Sequence, residues 1–308
     1  MDSMKLRLGT RGSTLARTQS GMVADALVEH AASVGVELEV ELVEITTHGD
    51  ISRGSLVGLS EVGVFVNALR DALLAGECDF AVHSLKDMPT APHPELELAA
   101  ISKRADVRDA LCTTGPGLRD LPEGARIGTG SPRRAAQLIS LRRDLRVEGL
   151  RGNVDTRLGK LSGELDGVVL AAAGLERLGR LDEATELLDP TDMMPAPGQG
   201  ALAIEIAPGA DDAWADLIRA LDHAPTRAAV TAERSLLGVL DAGCAAPVAA
   251  YATVAGERLS LRARVVDAGG TLALNETAQG PASEAASLGR STGWTLLGRG
   301  AGRLMGRA

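Results

Sequence analysis

The sequence predicts an α/β chain of two similar halves, followed by a small C-terminal α+β domain with a three-stranded antiparallel sheet. Three observations predict it. First, apolar residues switch repeatedly between a period of two and a helical period as far as residue 207. Strands alternating with helices imply parallel pairing through crossover helices. Second, VAAYATV (248–254), RLSLRARVV (258–266) and TLALNETA (271–278) follow one another across short turns, as in an antiparallel meander. Third, 308 residues fit two or three domains at about 100–200 residues each.

The elements follow in order. Residues 5–10 (KLRLGT) read as a strand, and Ser13 as the cap of a helix carrying Leu15, Met22, Val23, Ala26 and Leu27 at helical spacing. EVELVEITTHG (39–49) alternates like a half-buried strand. The Gly- and Ser-rich stretch 49–63 is long for a connection, which marks a functional loop. A helix is expected at 64–75, then strands at 79–85 and 95–102. The polar run KRADVRDA (103–110) breaks the pattern and reads as a hinge or domain crossing. Strands are expected again at 125–129, 145–150 and 166–172, with helices at 132–143, 153–162 and 174–188. The Pro- and Gly-rich connector 191–200 leads to a strand at 201–207, and helices follow at 212–221 and 225–240. Five glycines (289, 293, 298, 300 and 302) weaken the helical pattern after Pro281.

Composition excludes several function classes. The net charge is −9, and Phe65, Phe80, Trp214, Tyr251 and Trp294 are the only aromatic residues besides histidine. Nucleic-acid binders are usually basic and stack bases on aromatic rings, so no nucleic-acid partner is expected. No apolar run reaches the ~18–20 residues of a membrane span, so no membrane partner is expected. The start, MDSMKLRLGT, has no apolar signal region and reads as cytoplasmic. Cys78, Cys112 and Cys244 are too dispersed for a disulfide framework, and the five histidines show no metal-ligand spacing, so no metal is expected.

Positive charge is nevertheless concentrated. Residues 126–160 hold nine basic side chains against three acidic ones. Arginine dominates, and its rigid fork suits carboxylate or phosphate. Arg11 lies between strand 5–10 and Ser13. Arg133 and Arg134 lie in GTGSPRR (128–134), with Ser131 as cap and Pro132 at the first helical position. Arg151 and Arg157 lie in LRGNVDTR (150–157), with Asn153 as cap. Three times, an arginine meets a helix N-terminus just past a strand, where free N–H groups bind anions. The ligand expected is a small polyanion, although Arg142, Arg143 and Arg146 fit an ordinary solvated helix face equally well. No GxxxxGK[ST] or early GxGxxG is present, so a P-loop or dinucleotide site is not expected. Asp87, in HSLKDMPT (83–90), is either a turn residue before Pro89 or an acid/base group. By residue type, Cys244 in DAGCAAPV (241–248) reads as a small buried hydrophobe.

Seven motifs in this order, TRGSTLA (10–16), HSLKDMPT, GTGSPRR, LRGNVDTRL (150–158), LAAAGLERLG (170–179), PAPGQGALAIE (195–205) and AGCAAPV (242–248), closely resemble the porphobilinogen deaminases, also called hydroxymethylbilane synthases. The resemblance covers about residues 5–278. It implies a transferase of tetrapyrrole (porphyrin, heme) biosynthesis that joins four porphobilinogens head to tail on a dipyrromethane primer, releasing ammonia and finally hydroxymethylbilane. It implies that the primer is bound covalently to Cys244 as a thioether, against the residue-type reading. Asp87 and Arg177 are then catalytic. Asp50, Ser84, Lys86, Ser131, Arg133, Arg134 and Gly152 would hold the cofactor. Arg11, Ser13, Phe65, Arg151, Asn153, Arg157 and Gln199 would hold substrate. The implied fold has two type II periplasmic-binding-protein-like domains, 1–102 with 199–218 and 103–198, and a third domain at 219–308. A monomer is implied. The sequence departs from the family's pattern at Gly58 and Val62, where lysines are common, and at Gly130, where a serine is usual. The competing reading is a non-enzymatic two-lobed binding protein for an organic polyanion, which would leave Cys244 without a role.

Overall fold

The computed structural model describes residues 4–45, 61–207, 209–210, 212–242 and 246–306, with the side chains of 61–65 and 212 excepted. In chain order the elements are β1 (Met4–Thr10), α1 (Thr14–Ser33), β2 (Leu38–Glu44), α2 (Glu61–Leu74), β3 (Phe80–Ser84) and β4 (Glu97–Ile101). Then come β5 (Asp109–Thr113), β6 (Arg126–Thr129), α3 (Pro132–Leu141), β7 (Arg146–Gly149), α4 (Val154–Leu158), β8 (Gly167–Ala171), α5 (Ala172–Arg177) and β9 (Glu186–Leu188). The chain ends with β10 (Leu202–Ile206), α6 (Asp212–Arg219), α7 (Ala224–Val239), β11 (Val248–Ala255), β12 (Arg258–Val266), β13 (Ala273–Pro281), α8 (Ala285–Gly298) and α9 (Ala301–Leu304). Two compact units result, residues 1–104 with 201–227, and residues 105–200 with 228–308.

The first unit holds a five-stranded sheet of order β2-β1-β3-β10-β4. Alternation along its strands fills both faces. On one, Leu6, Leu8, Phe80 and Ile204 pack with Val23 and Leu27 of α1 and Ile218 of α6. On the other, Cys78 and Ala81 pack with Leu69, Ala72 and Leu73 of α2. The second unit repeats the plan in a sheet of order β7-β6-β8-β5-β9. Leu111, Ile127 and Val169 meet Leu138 of α3 on one face, while Cys112, Val168 and Leu170 meet Leu158 of α4 and Leu175 of α5 on the other. This unit also contains the antiparallel sheet β11-β12-β13, covered by Ala232 and Leu236 of α7 and Leu296 of α8.

These two mixed sheets and the separate meander match the expected fold class, with several corrections. The sheets are not all parallel. β10 runs antiparallel to β3 and β4, and β5 antiparallel to β8 and β9. β5 lies partly inside the polar run read as a break. Its first residue, Asp109, is charged yet wholly buried, which conceals the strand from a hydropathy reading. The helix expected at 174–188 stops at Arg177. Gly179, at φ 67°, admits the left-handed turn that lets Arg180 N–H bond to Leu175 O, and the edge strand β9 follows. The helix expected at 153–162 is α4 plus a 3-10 turn, Gly159–Leu161. β2 stops at Glu44, and the rest of strand 39–49 and most of loop 49–63 lie outside the described residues. The late glycines do not break α8. A Cβ on Gly289 would lie 2.1 Å from Ala232 O and one on Gly293 2.8 Å from Val239 Cβ, so these two glycines let α8 approach α7 closely.

Candidate active site

In the first unit, β1 and β3 are parallel, so the turns after both leave the same sheet edge. The turn after β1 carries half-buried Arg11 and Ser13, whose Oγ accepts from Ala16 N at 3.3 Å and caps α1. The turn after β3 carries Ser84, Lys86 and Asp87. Ser84 Oγ lies 3.1 Å from Gln19 Nε2 of α1. Lys86 and Asp87 belong to a 3-10 turn, Leu85–Asp87. Buried Leu85 and Met88 fasten this turn, with Leu85 N–H donating to Ala201 O at 3.1 Å and Met88 N–H to Leu85 O at 3.2 Å. Both charged side chains are half-buried, and no hydrogen bond or ion pair to the Asp87 carboxylate occurs among the described residues.

In the second unit, β6 is parallel to both β7 and β8, so their following turns also share an edge. Ser131 Oγ caps α3 through Arg134 N at 3.4 Å, and Asn153 Oδ1 caps α4 through Thr156 N at 2.8 Å. All three helix starts expected from sequence are therefore present, but each is partly satisfied by its own cap rather than free.

Arg133 and Arg134 are buried, not displayed on a loop, at 4% and 5% exposure. Between them sits Asp109, which the sequence reading missed. Arg134 Nε and Nη2 donate to Oδ1 at 3.0 and 2.8 Å, and Arg133 Nη1 lies 2.8 Å from Oδ2. Gln199 Nε2 donates to the same Oδ1 at 2.9 Å and to Val107 O at 2.7 Å. Burial alone would raise the Asp109 pKa; the charges of Arg133 and Arg134 outweigh it and hold the carboxyl well below the usual range. Burial pulls the Arg133 pKa down. Glu233 of α7, also missed, is wholly buried and accepts from Gly198 N and Ala252 N, each at 2.7 Å, so it fastens the turn carrying Gln199 to β11.

Arg177 ends α5. Its Nη2 donates to Gly200 O at 2.7 Å, while its Nε is buried without a hydrogen-bond partner among the described residues. Arg157 Nε donates to Gly152 O at 2.7 Å and shapes the turn that holds exposed Arg151 and Asn153. Arg142 is structural, paired with Asp144 at 2.5 Å and bonded to the carbonyls of Leu118, Arg119 and Leu121. Cys78 and Cys112 are buried, which pushes each thiol up to about 11 and leaves it inert at neutral pH. Asp50, Cys244 and the side chain of Phe65 lie outside the described residues. Among those described, no group of three His, Cys, Asp or Glu residues could hold a metal ion, and no helix is long and apolar enough to cross a membrane.

Taken unit by unit, arginines near the sheet edge are of the kind that suits a protein handling acidic small molecules. The family model described as "Porphobilinogen deaminase, dipyromethane cofactor binding domain" matches residues 6–215, and that described as "Porphobilinogen deaminase, C-terminal domain" matches residues 227–298. A porphobilinogen deaminase of Thermobifida fusca is 52% identical over 100% of this chain and 98% of its own length. Porphobilinogen deaminase 1 of Streptomyces coelicolor is 51% identical over 99% of both chains. Solved structures similar to this chain include a YaeC-family lipoprotein of Enterococcus faecalis, at 15% identity and TM-score 0.41 over 71% of this chain and 91% of that one. The chain belongs to the porphobilinogen deaminase family. It carries that family's activity, hydroxymethylbilane synthesis in the tetrapyrrole pathway, and residues 6–215 form a dipyrromethane-binding domain.

The residues present fit such a cofactor. Two buried guanidiniums share the single Asp109 carboxylate, which leaves an uncompensated positive charge. Arg133 Nε and Arg177 Nε are buried donors without acceptors. The acetate and propionate arms of a dipyrromethane are the acceptors that such donors require.

Proposed function

We propose that this chain joins four porphobilinogens head to tail, acting as a cytoplasmic monomer with porphobilinogen as its small-molecule partner and no nucleic acid or membrane partner. The observation that carries the chemistry is the excess of buried arginine over carboxylate around Asp109. Each pyrrole ring brings two carboxylates, so the growing chain is a polyanion. Arg133, Arg134, Ser131, Gly152, Ser84, Lys86 and Asp50 would hold the dipyrromethane, and Cys244 would anchor it as a thioether. When bound, it would supply the electron-rich terminal pyrrole carbon that takes the first ring, each later ring adding to the one before.

Arg11, Ser13, Arg151, Asn153, Arg157 and Gln199 hold the incoming porphobilinogen, with Phe65 packing on it. Arg177 neutralises a carboxylate near the reacting carbon. Asp87 works on the aminomethyl arm. The C–N bond of the protonated aminomethyl arm breaks with its electron pair leaving on nitrogen as neutral ammonia, and the positive charge passes to the pyrrole nitrogen of the incoming ring. A half-buried carboxylate beside that nitrogen stabilises the charge as it develops. Asp87 then accepts the proton released when the new C–C bond restores aromaticity. Water hydrolyses the completed tetrapyrrole away from its anchor.

The intact mass of the purified protein tests this reading. A mass exceeding the sequence by two linked pyrrole units, absent from Cys244→Ala, is expected. A bare mass that stays bare after porphobilinogen is added would overturn the anchor and leave the polyanion-binding reading standing.

A further inference from the structure

A second buried ionic network lies in the first unit, beneath the strand that ends in Ser84. Glu205 on β10 is 2% exposed, Arg70 on α2 is 5% and His83 on β3 is 5%. Arg70 Nε donates to Glu205 Oε2 at 2.9 Å and Nη2 to Oε1 at 2.7 Å, a two-point fork. His83 Nε2 lies 3.2 Å from Oε2, within ion-pair distance though not aligned as a hydrogen bond. Three elements thus meet at one carboxylate.

A buried ion pair is a poor stabiliser, because desolvation cancels much of its attraction, and apolar residues of similar volume do as well. What such a network does supply is a fixed geometry, and its place in the sheet says which geometry. In the β3–β10 ladder, His83 faces Ala203 and Ser84 faces Leu202; these are the final two rungs before the chain turns away at Leu85. Beyond them, Leu85 N–H donates to Ala201 O, just before β10, and ties the turn carrying Lys86 and Asp87 to that strand. Glu205 faces Ala81, so its contact with His83 is diagonal across those rungs, and Arg70 fixes Glu205 from the helix packed above.

The geometry points to Arg70, Glu205 and His83 as positioning residues that set the depth and register of the strand delivering Asp87. This inference rests on the reading of Asp87 as the catalytic acid. Arg70→Met removes the fork and leaves the Asp87 turn chemically intact. The expected result is a fall in kcat of at least about ten-fold, since small displacements of a catalytic group are expensive. The KM for porphobilinogen and the dipyrromethane content by mass stay unchanged. Amide hydrogen exchange at Leu85 and Met88 accelerates, while exchange at Ile127 and Val169 in the other unit does not. Arg70→Lys, which keeps the charge but not the fork, restores part of both. If Arg70→Met does not fold, His83→Gln is measured in its place and shows the same two changes. An unchanged kcat, or unchanged exchange at Leu85 and Met88, overturns the inference even where the melting temperature falls. Asp87→Asn is measured in parallel. If it is fully active, the catalytic reading itself fails; if it is inactive while Arg70→Met is unaffected, only the positioning role fails.

Discussion

Asp109→Asn isolates what the central carboxylate does. Asparagine keeps the shape and one acceptor oxygen, so Gln199 and Arg134 can still find a partner. What disappears is the charge between two buried guanidiniums. Removing one partner of a buried ion pair costs about 3–5 kcal/mol. Asp109 is wholly buried, and it serves two arginines, so a loss of about 4 kcal/mol is expected. Against a total stability of about 5–15 kcal/mol that is a large fraction. At about 2–4 °C per kcal/mol it lowers the melting temperature by roughly 8–16 °C. The assay is urea unfolding of both proteins as purified, repeated across pH. The native carboxyl lies below its unfolded value, so its contribution is complete above about pH 4 and declines as the pH falls further. The gap between wild type and variant therefore narrows in acid. Equal unfolding midpoints at pH 7, or a gap that widens below pH 4, would refute the assignment.

Two further outcomes follow from the same geometry. Gly289→Ala places its Cβ 2.1 Å from Ala232 O and 2.9 Å from Ser235 Cβ. The overpacking costs about 1–3 kcal/mol or more, which exceeds the ~1 kcal/mol gained in helix propensity, so a urea midpoint above wild type contradicts the close-packing account. For Glu205, burial would raise the pKa, but His83 and Arg70 hold it down at about 2. Its stabilising contribution, about 3 kcal/mol from the shift, is present above the unfolded value near 4.3 and lost between there and about pH 2. Wild type should then lose stability relative to Glu205→Gln over that window, as followed by acid unfolding, and parallel curves contradict it.

The parts of the fold legible in sequence are those where one local signal suffices. Ser13, Ser131 and Asn153 each cap the helix expected, because an N-cap is a contact between residues three apart. The meander strands follow from alternation alone. Strand direction was not legible, since β5 and β10 are antiparallel only because of where the chain enters each sheet. Asp109 shows the harder limit. A buried aspartate has the same letter as a solvated one, and its partners Arg133, Arg134 and Gln199 are 24, 25 and 90 residues away. A sequence reading can see that Arg133 and Arg134 are adjacent, but not that a strand read as a linker brings the acid between them.

That same acid supports the proposed role of the arginines toward a polyanion. Two buried guanidiniums without a counter-ion would have no stable place in a protein interior, and two carboxylates would cancel them completely. One carboxylate makes the site foldable and leaves a single positive charge, with Arg133 Nε buried and without an acceptor among the described residues. Gln199 donates to the same oxygen, and Gly198 beside it is held by Glu233. The charge balance of the Arg133–Arg134 site is therefore set by Asp109, which itself need touch no ligand. Substituting Asp109 or Glu233 should change how tightly the cofactor is held without altering any group proposed to contact it.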